Sequence, residues 1–418
     1  MTSLSCITNA QLVDAAGQRE VTLYIAGDRI SLERVEGEVF NANGAYVAPG
    51  IVDLGVFAVD KAAFIAGGIT RIALMPDASP PLDNPGLVQR SALAAKPDLW
   101  VHPLGAATRG LAGLELTEYA LMAKAGAKAI ATGRHWIADS GVMHRVLTYA
   151  ASLGLTVIAH SEDSGLTGHA VATAGETATR HGLSAAPAIA EAMAITRDLA
   201  LADLTGAAIH FRQVTTAIGF DLVRAAKDKG LRITCGISPA HFMLSDIAVT
   251  NFRTFARLSP PLRCENDRLA AIEAVRDGTI DVLCSAHDPR GPEAKRLPFA
   301  DAAPGMAGAE TLLPLGLGLV RDGVIDLPRL MAMLSTNPAQ IIGVEGGSLS
   351  VGSAADLMIF NPDTPWRISG EGFAAAASNT PFDGLPTQGR VLKTIKGGRL
   401  LGVYLPVDYR LATFTMPR

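Results

Sequence analysis

The chain has 418 residues, of which 49% are hydrophobic, 18% charged and only 5% aromatic, with a net charge of −4. That length exceeds one ordinary compact domain but suits an α/β barrel with a smaller appended domain, and the apolar fraction can fill a large core. The mildly acidic balance argues against a nucleic-acid or anionic-membrane partner, because both need clustered Lys and Arg.

The elements follow in order along the chain. Ser5–Val13, Val21–Ile25 and Ala45–Val47 read as short strands separated by Gly and Asn turns. Eight apolar, strand-like runs come next: Ile51–Val59, Thr70–Met75, Leu99–Leu104, Ala127–Ala131, Thr156–Ala159, Ala207–Phe211, Arg232–Ile237 and Asp281–Cys284. Helical periodicity fills the gaps, as at Leu116–Ala125, Met143–Leu153, Phe220–Lys229 and Arg268–Asp277. Strand texture returns at Asp356–Phe360 and Arg390–Ile395. Eight β–α alternations imply parallel strands closed into a (β/α)8 barrel, expected over residues 49–344. Residues 1–48 and 345–418 are expected to form one small β-sandwich from both chain ends.

Cys6, Cys235, Cys264 and Cys284 include no CxxC pair and are widely spaced, so reduced thiols and a cytoplasmic setting are expected. Met1–Gly17 has no basic start followed by a long apolar run, and no stretch of 18 apolar residues is present. Gly346-Gly347 and Gly397-Gly398 are turn glycines; neither belongs to a phosphate-binding GxxxxGK[ST] loop.

In such barrels the reacting groups sit at the C-terminal strand ends. The motifs along the chain are Pro49-Gly50-Ile51-Val52-Asp53, which opens the first strand, then Met75-Pro76-Asp77, His160-Ser161-Glu162-Asp163, Val214-Thr215-Thr216-Ala217 and Ser238-Pro239-Ala240-His241. Ser285-Ala286-His287-Asp288-Pro289, Gly305–Glu310, Ser335–Ala339, Gly352–Leu357 and Ser378–Phe382 follow. In this order and spacing the set resembles the dihydroorotase branch of the amidohydrolase superfamily. The resemblance implies the same barrel plus β-sandwich. It also implies zinc-assisted interconversion of carbamoyl-aspartate and dihydroorotate, in which the metal activates water and polarises a carbonyl.

The ligand set that the resemblance implies is nearly gone. The family's His-x-His at the end of the first strand corresponds to Gly55 and Phe57. The bridging carboxylate of the fourth strand falls at Thr132, and Lys128 lies at that strand's start, too far back to replace it. The fifth-strand His is kept as His160, while the sixth-strand His is Gln213, a weak zinc donor. The eighth-strand Asp, both ligand and general base, is Ala286. Only His160 of six positions remains. The Asp53–Gly67 stretch is shorter than the family's and has no Arg to bind substrate. Asp77, His241 and His287 are expected as remnants of the substrate pocket, with Asp77 placing a negative charge where an anionic substrate would bind. His210 stands three residues before Gln213, which by strand alternation predicts the opposite face. Cys284 reads as a buried strand residue, since no positioned base accompanies it.

No zinc or other cofactor is therefore expected. The reading that follows is a non-catalytic dihydroorotase-like subunit partnered with the aspartate transcarbamoylase catalytic chain, and itself a homodimer. The alternatives are a divergent cyclic-amide hydrolase with a reassigned or single-metal site around His160, His241 and His287, helped by Glu162 or Asp288, and a barrel that binds a small molecule.

Overall fold

A computed structural model describes residues 4–402. Residues 403–418, the tail of the expected second β segment, and 1–3 lie outside this range. The eight barrel strands are Ile51–Val56, Ile69–Leu74, Trp100–Pro103, Ile130–Ala131, Val157–Ala159, Ile209–Phe211, Ile233–Ile237 and Val282–Leu283. Each falls inside, or within one residue of, a run marked by apolar patterning. They pair in parallel and in chain order. The third strand breaks at Leu104 and resumes as Gly105–Ala106, the piece that pairs with the fourth.

A buried side chain helps to close the barrel between its eighth and first strands. Asp53 accepts from the Ser285 backbone N–H at 2.9 Å and from the Ser285 hydroxyl. Phe57 N–H donates to the His287 carbonyl at 3.0 Å. The Asp53 carboxylate thus satisfies groups that would otherwise be buried without partners.

Period-two alternation sorts the strand residues into two layers. Leu54, Ala73, Ala131, Ile158, Val282 and Cys284 fill the barrel interior. Ile72, Val101, Val157, Ile209 and Phe211 face outward and meet the helices. The expected helices are present as Tyr119–Lys124, Ser140–Ser152, Ala217–Asp228 and Glu265–Arg276. Two begin on side-chain caps, Asp139 to Val142 N–H and Thr216 to Gly219 N–H, which satisfy N–H groups that a helix start leaves unpaired.

Both chain ends build the β layers. One sheet runs in the order Arg29–Ser31, Leu23–Ala26, Leu4–Thr8, Glu38–Asn41. The other interleaves the ends: Arg399–Leu401, Pro386–Lys396, Leu357–Arg367, Tyr46–Pro49, Gln11–Asp14, Gly17–Glu20. Leu12, Ile25, Val47, Leu357, Ile359 and Ile395 share one core. The single run read over Ser5–Val13 is in fact two strands, one in each sheet. The chain turns between them at Asn9, whose φ of 50° lies in the left-handed region that Asn tolerates; alternation alone does not reveal that corner. Arg71 of the second barrel strand donates to Asp356 at 2.7 Å, and Lys396 contacts the same carboxylate, joining barrel to sheets. Among the described residues, no helix is long and apolar enough to cross a membrane.

Candidate functional site

Gly55, Thr132, His160, Gln213 and Ala286 stand at or just beyond strand ends, around the C-terminal mouth of the barrel, with Phe57 two residues past Gly55. What occupies the centre is a side chain the sequence reading passed over, Arg212. It follows the sixth strand directly and is only 3% exposed. A Cβ built on Gly55 would lie 3.1 Å from Arg212 Cδ, and Gly55 has a φ of 96°, so an imidazole there would be both crowded and strained. Phe57 stacks beneath two guanidiniums, with Arg134 at 3.7 Å and Arg212 at 5.0 Å from the ring centroid. An aromatic face and two cations thus stand where the resemblance expects ligands for a cation.

His160 N–H donates to Thr132 Oγ1 at 3.0 Å, so the Thr that replaces the bridging carboxylate positions the backbone of the retained His. His160 Nε2 is 3.6 Å from Glu162 Oε2. Burial pushes its pKa down to about 4, outweighing the opposing pull of Glu162, so the imidazole is neutral near pH 7. Glu162 is itself held by Arg263 at 2.7 Å. Arg263 also donates to Thr215 at 2.9 Å and Thr173 at 3.1 Å and lies 3.6 Å from Glu191. Glu191, on the long helix Ile189–Thr205, accepts from the backbone and hydroxyls of Thr215 and Thr216. Neither Arg263 nor Glu191 was marked by any motif; only the tertiary fold brings them together.

Among the described residues, no three His, Cys, Asp or Glu side chains converge closely enough to hold a metal ion. A zinc site needs three or four such ligands. His160 and Glu162 supply two, and Glu162 is already committed to Arg263. The residues present do not fit zinc.

The other expected residues divide. Asp77 accepts from Arg134 N–H at 2.9 Å, and its charge is opposed by Arg134 and Arg212. His241 lines the mouth, but both its ring nitrogens are engaged, with Ser238 Oγ at 3.0 Å and the Pro260 carbonyl at 3.1 Å. Its pKa is pushed down to about 4, chiefly by burial. His287 lines neither cavity of the mouth. Its ring packs against Phe64 at 5.0 Å, accepts from Ala309 N–H at 3.3 Å and lies 3.6 Å from Asp60. The three histidines therefore do not form a joint site. His210 corrects a second expectation. It is in register with Ile158 and Thr234 and faces the barrel interior, bonded to Thr234 Oγ1 at 2.9 Å. Alternation holds along the strand, so Arg212 continues the inward row; Gln213 lies past the strand end, where alternation no longer applies. Cys284 is buried, and burial raises its thiol pKa to about 12, which leaves it unreactive.

Two cavities open at the mouth. The inner, about 20 Å³, is bounded by Phe57, Arg134, Arg212, His241, Ala286 and Asp288 among others. The outer, about 350 Å³, is bounded by Arg134, His135, His160, Glu162, His169 and Arg257 among others. Arg134, Leu258, Ser259 and Pro304 border both.

This architecture and its mouth define an amidohydrolase-type barrel. Residues 106–401 match the model of the amidohydrolase family, and the chain belongs to that family. Within it the relatives are dihydroorotases and their kin. The dihydroorotase of Syntrophotalea carbinolica is 35% identical over 94% of this chain and 98% of its own. The "dihydroorotase-like protein" of Pseudomonas aeruginosa is 38% identical over 85% of this chain and 88% of its own. Among solved structures, the L-hydantoinase of Arthrobacter aurescens superposes with a TM-score of 0.84 at 24% identity, covering 96% of each chain. At that identity the likeness speaks to the fold.

Proposed function

We propose that this dihydroorotase-like protein is non-catalytic and serves pyrimidine biosynthesis as a structural or regulatory subunit for the aspartate transcarbamoylase catalytic chain, as a cytoplasmic homodimer that holds no zinc. One observation carries the loss of catalysis: the Arg212 side chain lies against Gly55, and its guanidinium shares the Phe57 ring with Arg134, in the space a metal centre would need. A divalent cation entering that space would meet two guanidiniums and almost no donors. Ala286 supplies no general base. The framework around the mouth persists all the same. Asn379 still accepts from Arg290 N–H at 3.0 Å and donates to the Gly305 carbonyl at 3.0 Å, binding two family motifs together. A fold kept intact after its chemistry is removed suits a scaffold, and a closed symmetric dimer is a common form for one.

The test is assembly. Mixed at micromolar concentration, this chain and the aspartate transcarbamoylase catalytic chain from the same cell are expected to comigrate on a sizing column. Separate elution would overturn the subunit role. The competing reading, a divergent cyclic-amide hydrolase, rests on His160 beside Glu162 and on relatives named dihydroorotase. Turnover of dihydroorotate by the isolated chain would favour it.

A further inference from the structure

Arg212 is 3% exposed, borders the inner cavity, and makes no hydrogen bond or ion pair through its side chain to any described residue. Its Nε is buried without a partner. A desolvated guanidinium with nothing to donate to is costly, and the group removes that cost only by meeting an anion. We propose that the mouth of the barrel is an anion site, in which Arg212 receives the carboxylate of a small organic acid whose body lies in the outer cavity.

Size and charge choose the class. The inner cavity, about 20 Å³, has room for about one water-sized group, so only the oxygen end of a head group reaches into it. The outer, about 350 Å³, shares its wall and accommodates a small organic body. Around the inner cavity the charges are three guanidiniums and two carboxylates, while at the outer cavity Glu162 is held by Arg263 and Arg257 is a further cation with no ion pair among the described residues. Arg134 and Arg290 both hold Asp288, at 2.7 Å and 2.9 Å, and Arg134 N–H holds Asp77. Arg212 is the cation left over. One surplus positive charge at the inner cavity, where the head group would sit, matches a carboxylate better than a phosphate dianion. The site needs no partner protein and no turnover, so it stands or falls apart from the subunit reading.

The probes are butyrate and inorganic phosphate, titrated into the full chain at constant ionic strength with thermal unfolding as the readout. Butyrate is expected to raise the unfolding temperature saturably. Arg212→Met should weaken that response by about tenfold or more. Ala286→Asp, which brings an internal carboxylate into the same cavity, should abolish it, and its folded state is checked by the unchanged cooperativity of unfolding. No saturable response in the native chain, or an undiminished one in Arg212→Met, would overturn the site. A stronger response to phosphate than to butyrate would overturn the carboxylate assignment.

Discussion

Arg212 and Arg263 are equally buried at the same end of the barrel, each 3% exposed, yet they are held in opposite ways. Arg263 bonds Glu162, Thr215 and Thr173 and lies within ion-pair reach of Glu191. Arg212 has an aromatic ring, a small cavity and only the longer-range attraction of Asp77 and Asp288. The difference teaches which buried charge is architecture and which awaits something. A charge compensated on all sides locks loops together. A charge left uncompensated persists only where the surrounding fold carries its cost.

The sharpest way to break the contrast is to remove Arg263. Arg263→Met leaves Glu162 and Glu191 buried without their cation and is expected to cost about 3–5 kcal/mol in urea unfolding. A loss under about 1 kcal/mol would mean the network is not the lock described.

The barrel interior offers a third solution, in which buried bases stay neutral. Burial pushes His102 and His210 from 6.5 down to about 3. The folded state then binds fewer protons than the unfolded chain once the pH drops below the ordinary imidazole value. The stability these residues contribute is full above pH 6.5 and is lost as the pH falls toward 3. Each steepens the decline by up to about 1.4 kcal/mol per pH unit. Urea midpoints should fall from pH 7 to pH 5, and Thr234→Val, which removes the His210 partner, should leave that slope in place. A flat profile would show these histidines to be protonated in the folded state.

Restoring ligands probes the mouth itself. Gly55→His with Phe57→His recreates the family's His-x-His pair, but the new side chain at 55 meets Arg212 Cδ, and the φ of 96° is strained for any residue with a Cβ. The double variant is expected to lose about 1–2 kcal/mol and to bind no zinc. Zinc uptake measured by equilibrium dialysis would show that Arg212 yields easily. The smallest effect is on Arg212 alone. Arg212→Met exchanges an uncompensated cation for an apolar chain of similar length and should raise stability by about 1 kcal/mol or leave it unchanged, the opposite sign to Arg263→Met.

Much of this was legible in the sequence, and the remainder was hidden for physical reasons. The eight barrel strands follow from apolar runs because both faces of a parallel strand are buried. The erased ligand positions were visible because each is tied to a motif at a strand end. Arg212 was not, since an Arg beside a strand end reads as solvated until the fold shows what covers it. Arg263 and Glu191 come from separate elements far apart in the chain, and periodicity carries no information about such pairings. His287 was placed with the mouth because it follows Ala286, but Ala286 has a φ of 48°, and the chain there turns the ring toward Phe64.

On the proposed function, this barrel kept its frame and gave up its metal chemistry. The most direct measurement is zinc content and dihydroorotate turnover on the same preparation of the isolated chain, purified in zinc-supplemented buffer and dialysed. The isolated chain is expected to hold no stoichiometric zinc and to show no turnover above the buffer rate. Stoichiometric zinc with turnover that His160→Ala abolishes would contradict it.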